Sequence, residues 1–167
     1  GPPDFTELVL DACARLLAFS DLGVDVDEGR RRAETAVADG SALAAYERWI
    51  RAQGGDPSLD ALESAPVVHE VRAAVGGTVT RLGALAVGIA ALELGAGRRT
   101  KTDPIDHAVG VVCHVKRGDR VAAGDLLAEI HAREESAAVA AAEDVTAAYE
   151  IGDAPTSDAG ILLEVVG

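Results

Sequence analysis

The chain has 167 residues, and its 15 Lys and Arg against 28 Asp and Glu give a formal net charge of −13 at pH 7. This charge argues against a nucleic acid or an anionic membrane as partner, because both are bound through clustered Lys and Arg. Hydrophobic residues make up 49% of the sequence, too many for an acidic disordered tail. No apolar run reaches the ~18 residues of a membrane span, and no signal peptide is recognisable. The sequence therefore predicts one globular domain, or two small ones.

Cysteine and methionine usage gives two further expectations. Cys13 and Cys113 are too few for a disulfide framework or a zinc site, and both lie among apolar neighbours. We expect inert core thiols in a protein of the reducing cytoplasm. The sequence contains 0 Met and opens with Gly1-Pro2, which is typical of a processed terminus. We therefore expect the chain to be a piece of a longer protein.

Apolar residues recur at helical spacing through the first third of the chain. A first helix is predicted after Asp4, its expected cap, and is expected to end at Gly23. Two more helices are predicted over 27–39 and 41–53, each followed by glycine. The arginine cluster 30–32 lies among acidic residues, which favours a solvated, internally paired face over an anion site.

The sequence changes character after a connector over 56–66, which is polar and carries two prolines. Short apolar runs separated by tight turns then predict a mixed α/β part with antiparallel strands, since its turns are too short for parallel crossovers. The elements predicted for this part are strands over 67–73, 77–82, 108–115, 125–131 and 161–166, and helices over 85–94 and 134–149.

The segment GAGRRTK over 95–101 is the clearest candidate for an anion-binding loop. Glycines let backbone N–H groups approach an anion, and Arg98, Arg99 and Lys101 add positive charge. It is not a Walker loop, because no Gly-Lys-Ser/Thr follows and it leaves a helix rather than entering one. The alternative, which the local sequence favours, is that Arg98 and Arg99 cap the preceding helix, whose C-terminus attracts cations.

Other chemistry-bearing residues indicate no catalytic centre. Four histidines lack the spacing of a metal site: His69, His107, His114 and His131. His114 and His131 fall on neighbouring predicted strands, where they are placed to face each other, but we favour satisfied or exposed strand histidines over metal ligands. Asp103 and Asp106 have the sequence context of turn residues. No Ser or Cys nucleophile lies beside a base, so the residues alone predict no catalytic residue and no metal.

Several segments, in this order and spacing, resemble the C-terminal part of pyrimidine-nucleoside phosphorylases and thymidine phosphorylases. They are AAYERWIRAQGGD at 44–56, VGGTVTRL at 75–82, LGAGRRTKTDPIDHAVGVV at 94–112 and VKRGDRVAAGDLLAEIHA at 115–132. In addition, TELVLDACARLL at 6–17 is similar to the helix that opens this region in the family. The resemblance covers nearly the whole chain.

The resemblance implies a fold and a reaction. The reaction is a pentosyl transfer, in which a pyrimidine (deoxy)nucleoside and inorganic phosphate give the free base and a (deoxy)ribose 1-phosphate, with no other cofactor. The implied fold is α+β, in a homodimeric parent. By this resemblance we expect residues 1–60 to be helices of the parent's large α/β domain, and residues 66–167 to form an α/β-hammerhead, barrel-sandwich-like C-terminal domain.

The resemblance also implies what this chain lacks. In the family, phosphate and nucleoside are bound by motifs of the N-terminal half, and none of them occurs here. No catalytic or substrate-binding residue therefore carries over, and we expect the isolated chain to be inactive. The loop over 95–106 lies near the mouth of the active-site cleft in the family. Arg98, Arg99 and Lys101 are therefore the candidate cleft residues, with a plain domain-packing loop as the alternative.

Two other functional classes fit parts of the sequence. VKRGDRVAAGDLLAEI is similar to half of a biotinyl or lipoyl carrier domain, but residues 131–135 hold no lysine where such carriers have the modified one. Lys101 and Lys116 lie elsewhere. The second class is a non-catalytic interaction module. If the chain is folded alone, we expect residues 1–56 to expose an apolar patch and to mediate self-association.

Overall fold

The computed structural model describes residues 2–58, 62–153, 162 and 164–166. The described residues form two compact units, one within 2–58 and the other within 62–153. The first unit is helical and the second combines helices with antiparallel strands, so the architecture is α+β, which confirms the predicted fold class. The hammerhead arrangement and the domain bounds implied by the resemblance stay predictions.

The first unit is a three-helix unit with a small core. Helix α2 begins after Asp25, whose Oδ1 accepts a hydrogen bond from the backbone N–H of Glu28 at 2.8 Å. Its Gly29 lies directly against the backbone of Ala14 in α1, which is only 1% exposed. The helices are α1 (Pro3–Phe19), α2 (Val26–Ala38) and α3 (Ser41–Ala52).

The ends of α1 differ from the prediction. The helix begins at Pro3, so Asp4 lies in its first turn and is not the cap. Proline suits this position, because its ring fixes a helical φ and the first turn needs no N–H donor. At the other end α1 stops at Phe19, where the Ser20 hydroxyl donates to the Leu17 carbonyl at 2.6 Å. The expected stop, Gly23, lies in the following turn with φ +66°.

The second unit contains two three-stranded antiparallel sheets. Their strand orders are β1-β5-β3 and β4-β2-β6. The elements, in chain order, are β1 (Val67–Arg72), β2 (Gly77–Leu82), α4 (Ala84–Ala91), β3 (Gly110–Cys113), β4 (Arg120–Val121), β5 (Leu126–Ala132), α5 (Glu135–Ala148) and β6 (Tyr149–Gly152). A five-residue π turn, Leu92–Ala96, follows α4 directly.

The core of this unit lies between the sheets and α5. Central strand β5 contributes Leu127 and Ile130, which are 2% and 0% exposed, and β2 contributes Val79 at 0%. Alanines on α5 allow close packing, since they fill little space between helix and strands. The Tyr149 hydroxyl lies 3.2 Å from the Leu127 carbonyl oxygen, and burial raises the pKa of this phenol above its usual range.

Two strands of the second unit were not predicted. Residues 149–152 form β6, although Tyr149 closed the predicted helix; it leaves the helix because its ring is buried and its backbone pairs with Leu82. Strand β4 has only two residues and lies in a segment predicted as turn. The terminal strand predicted over 161–166 is wrong for Leu162 and 164–166, which are not in a strand, and its other residues lie outside those described.

Two further elements are shorter than predicted. The strand predicted over 108–115 is limited to β3, because the Ala108 N–H is bound to Asp106 Oδ1 in a turn and not to a neighbouring strand. The helix predicted over 85–94 passes into the π turn, within which Gly95 has φ +105°. Across the described part of the chain, no helix has both the length and the apolar character needed to cross a membrane.

Candidate functional site

The 95–106 loop is closed at its base by a backbone hydrogen bond. The Asp106 N–H donates to the Gly95 carbonyl at 3.0 Å, so the two ends of the loop lie side by side. Gly95 turns the chain out of the π turn with a positive φ, a conformation that glycine adopts without a steric penalty. Gly95 therefore serves a tight exit from the helix.

The carboxylate of Asp103, within the loop, accepts hydrogen bonds from two of the loop's backbone N–H groups. Asp103 Oδ2 accepts hydrogen bonds from the N–H of Arg99 at 3.0 Å and of Thr100 at 2.8 Å. The Thr100 hydroxyl donates to the other oxygen, Oδ1. These hydrogen bonds hold the pKa of Asp103 below its usual range, and the bond from the Thr100 hydroxyl contributes most. Two of the backbone N–H groups that could approach an anion are thus already satisfied, and Asp103 is the turn residue that the sequence predicted.

The three candidate cations differ in their surroundings. A guanidinium nitrogen of Arg99 lies 3.8 Å from Glu93 Oε1, in the turn that ends the helix. Arg98 and Lys101 are exposed, and no carboxylate among the described residues lies within ion-pair distance of either. The loop therefore presents two unpaired positive charges on a chain of strongly negative net charge.

The far end of the loop is held by an arginine that the sequence analysis did not single out. Arg133 Nε and Nη2 donate to Asp106 Oδ2 and Oδ1 at 2.6 and 2.9 Å, and Nη1 donates to Glu63 Oε1 at 2.8 Å. The Arg133 guanidinium, followed by the Ala108 N–H, lowers the pKa of Asp106 to about 2. No sequence signal marks Arg133, because Glu63 and Asp106 are distant along the chain.

Two of the four histidines, His69 and His114, lie beside carboxylates on the surface. His114 Nε2 lies 2.8 Å from Glu129 Oε2, and His69 Nδ1 lies 3.2 Å from Glu135 Oε1. The expectation that His114 and His131 face each other is wrong. His114 lies just beyond β3 with its N–H on the Leu127 carbonyl, four residues along β5 from His131. Within the described ranges, no group of three His, Cys, Asp or Glu is placed to hold a metal ion.

The arginine cluster of α2 is internally paired, as predicted. Arg30 donates to both carboxylate oxygens of Glu7 at 2.7 Å and to Glu34 at 2.6 Å. Arg31 and Arg32 both bind Glu28, at 2.9 and 2.7 Å. The Arg30–Glu7 pair therefore links α2 to α1, and the other pairs stabilise α2 itself. With its arginines paired in this way, the cluster offers no anion site.

The helical unit exposes apolar side chains, as the sequence predicted. Phe19 is 94% exposed, Leu16 71% and Trp49 60%. A groove of about 540 Å³ between the helices is lined almost entirely by apolar groups, and the thiol-bearing Cys13 lies in it. Cys13 and Cys113 are free and half-buried, so neither is the core thiol that was expected.

Comparison with known proteins agrees with the resemblance found in the motifs. The profile of the family described as "Pyrimidine nucleoside phosphorylase C-terminal domain" matches residues 78–152. The chain is 39% identical over 140 residues to a pyrimidine-nucleoside phosphorylase of Staphylococcus haemolyticus and 40% identical over 139 residues to one of Geobacillus stearothermophilus. Each match covers 81% of this chain and 32% of the relative. The chain thus spans about a third of the length of the curated relatives it matches.

The fold and these matches define residues 78–152 as a domain of the nucleoside phosphorylase class. More specifically, residues 78–152 match the C-terminal domain of the pyrimidine nucleoside phosphorylase family. The matched residues 78–152 include the 95–106 loop and Arg133, and the second unit from Thr78 of β2 to the end of β6, without β1.

Proposed function

We propose that this chain is the C-terminal part of an enzyme that cleaves pyrimidine (deoxy)nucleosides with inorganic phosphate. The match of residues 78–152 to the family's C-terminal domain carries the proposal, and the reaction is the one for which the relatives, pyrimidine-nucleoside phosphorylases, are named. Inorganic phosphate is the proposed co-substrate, the parent is proposed to be a homodimer, and the cytoplasm is the proposed compartment. Self-association of the isolated chain through the exposed apolar helices stays a prediction.

We propose that the chemistry belongs to the parent and that the isolated chain does not turn over. Phosphorolysis needs a clamped phosphate and a polarised base around a cationic sugar, which depends on positioned charges. Among the described residues, Asp103 accepts from the N–H groups of Arg99 and Thr100, and His69 and His114 lie beside carboxylates. These contacts support the proposal that the chain alone does not supply either clamp.

A chimera tests the proposal directly. We expect this chain, put in place of the C-terminal third of the Geobacillus stearothermophilus enzyme, to give phosphate-dependent cleavage of thymidine or uridine, measured by ultraviolet absorbance. The isolated chain at the same concentration is the matched control and is expected to give none. A chimera that is folded by circular dichroism yet inactive contradicts the family function. Turnover by the isolated chain contradicts the proposed inactivity, and modification by biotin or lipoate ligase would favour the carrier alternative.

We further propose that the unpaired cations of the 95–106 loop attract anionic substrate to the parent's cleft. Arg98 and Lys101 are exposed, whereas Arg99 approaches Glu93. Replacing Arg98 and Lys101 with alanine in the chimera is expected to raise the phosphate KM severalfold and to weaken its dependence on salt, as for steered charged ligands. The control is Arg120→Ala, an exposed arginine outside the loop. A phosphate KM that stays at its original value contradicts this role and favours a domain-packing loop.

A further inference from the structure

We infer that Arg133 is a positioning residue of the 95–106 loop: its guanidinium holds the loop end at Asp106 and the connector at Glu63, and so sets where Arg98 and Lys101 are presented. The inference rests on the proposed role of that loop in substrate attraction. It assigns a role to a residue outside the loop, directly after the last residue of β5.

Several hydrogen bonds restrain the position of Asp106 at the end of the loop. Its carboxylate receives two parallel N–H donors of Arg133, at 2.6 and 2.9 Å, and also the Ala108 N–H at 3.0 Å. Its own N–H closes the loop on Gly95 at 3.0 Å. A fork of this kind fixes both distance and orientation, because the planar guanidinium matches a carboxylate on two atoms at once. Asp106 therefore has little freedom relative to Arg133.

Arg133 lies between two elements that contribute to the core of the second unit, β5 and α5. It follows Ala132, the last residue of β5, which is 0% exposed and belongs to the core. Two residues later α5 begins at Glu135. The loop side of the contact is far more open, since residues 98–102 are all exposed. The direction of the restraint thus runs from the core, through Arg133, to the loop.

The contact to Glu63 makes the site a three-membered network rather than a single pair. Glu63 lies in the connector before β1, and its oxygen is 2.8 Å from Arg133 Nη1. One guanidinium therefore ties two segments without regular structure to the end of β5. Most exposed single pairs contribute little, whereas a bidentate, shared arrangement orders what it joins. Arg81 and Glu150, joined by one contact at 2.8 Å with both side chains mostly exposed, form a single pair of that ordinary kind.

Hydrogen exchange on the 167-residue chain tests the restraint without any catalysis. We expect Arg133→Gln to speed exchange of the amides over 99–106 about threefold to tenfold, while α5 amides stay unchanged, because the loop opens locally when one anchor is lost. Arg81→Gln is the matched control and is expected to leave the loop at its original rate. Arg133→Lys should restore part of the protection, since an ammonium cannot form the fork.

Variants of Asp106, the residue that Arg133 binds, test the same contact from its other side. Asp106→Asn is expected to speed loop exchange as Arg133→Gln does, and the double variant to add little further, because both remove the same contact. Equal loop exchange in the original chain, Arg133→Gln and Arg81→Gln would overturn the inference. So would faster exchange spread evenly over the whole second unit, which would mark a general loss of stability.

The chimera then separates the restraint from its function. Arg133→Gln is expected to raise the phosphate KM severalfold with kcat within about twofold, as for loss of binding shared by ground and transition states. When Arg133→Gln is combined with Arg98→Ala and Lys101→Ala, the phosphate KM is expected to rise little above that of the Arg98→Ala, Lys101→Ala variant. If loop exchange is faster but KM is constant in every variant, the loop's proposed part in substrate attraction fails, and with it the functional half of the inference. If KM responds to Arg98 and Lys101 but not to Arg133, only the inference fails.

Discussion

Ile130→Ala is expected to lower the free energy of unfolding of the second unit by about 3 kcal/mol, because it opens a cavity that the surrounding chain fills only in part. Ile130 is 0% exposed and lies on central strand β5, between His69 of β1 and Val111 of β3. Alanine-rich α5 covers this strand, and its small side chains cannot extend into the space left by the missing carbons.

Ile89→Ala is the matched control, because it removes the same atoms from a side chain that is 46% exposed on α4. Its effect is expected to stay within about 1 kcal/mol, since alanine also favours the helix. The two variants are compared by urea unfolding. Hydrogen exchange of the peptide that covers β5, measured at each urea concentration, reports the unfolding of the second unit. Similar midpoints for the two variants would mean that β5 is not the centre of the core.

Sequence periodicity predicted the elements that bury a regular apolar pattern. Helices α2 and α3 and strands β1, β2 and β5 lie within two residues of their predicted bounds, because glycine, proline and Asp25 mark their ends locally. The prediction failed where distant contacts decide. Tyr149 follows an alanine-rich run that favours helix, yet its backbone pairs with Leu82 and its ring enters the core. No local signal reports such a contact.

The candidate loop shows the same division. Its glycines and cations were visible in the sequence, and Asp103 was correctly assigned to turn hydrogen bonds. That Asp103 accepts from the N–H groups of Arg99 and Thr100 depends on a turn geometry that residue types do not specify. The bridge from Arg133 to Asp106 and Glu63 spans 27 and 70 residues along the chain and is created only by the fold. Long-range ion pairs of this kind leave no periodic trace in a single sequence.

Gly29→Ala is expected to destabilise the helical unit by about 2 kcal/mol, because the added carbon has no room. A Cβ at this position would lie 2.6 Å from the Ala14 carbonyl oxygen and 3.2 Å from the Ala14 carbonyl carbon, both in the α1 backbone. Backbone cannot swing aside as a long side chain does, so α1 and α2 must move apart. The unit has few buried residues to offset that loss, chiefly Leu10, Ala14 and Ala33.

Gly88→Ala separates this clash from the ordinary preference of helices for alanine. Gly88 lies inside α4 with nothing within 4 Å of an added Cβ, so the change is expected to stabilise the second unit by about 0.5–1 kcal/mol. Gly29→Ala gains the same preference, and its net loss therefore measures the close contact of α1 with α2. The sequence has 1 Trp, Trp49 of α3, so its fluorescence during urea unfolding reports on the helical unit. Hydrogen exchange of the α4 amides reports on the second unit. An unchanged or higher midpoint for Gly29→Ala would contradict close packing of α2 on Ala14, because free helices would respond to alanine as α4 does.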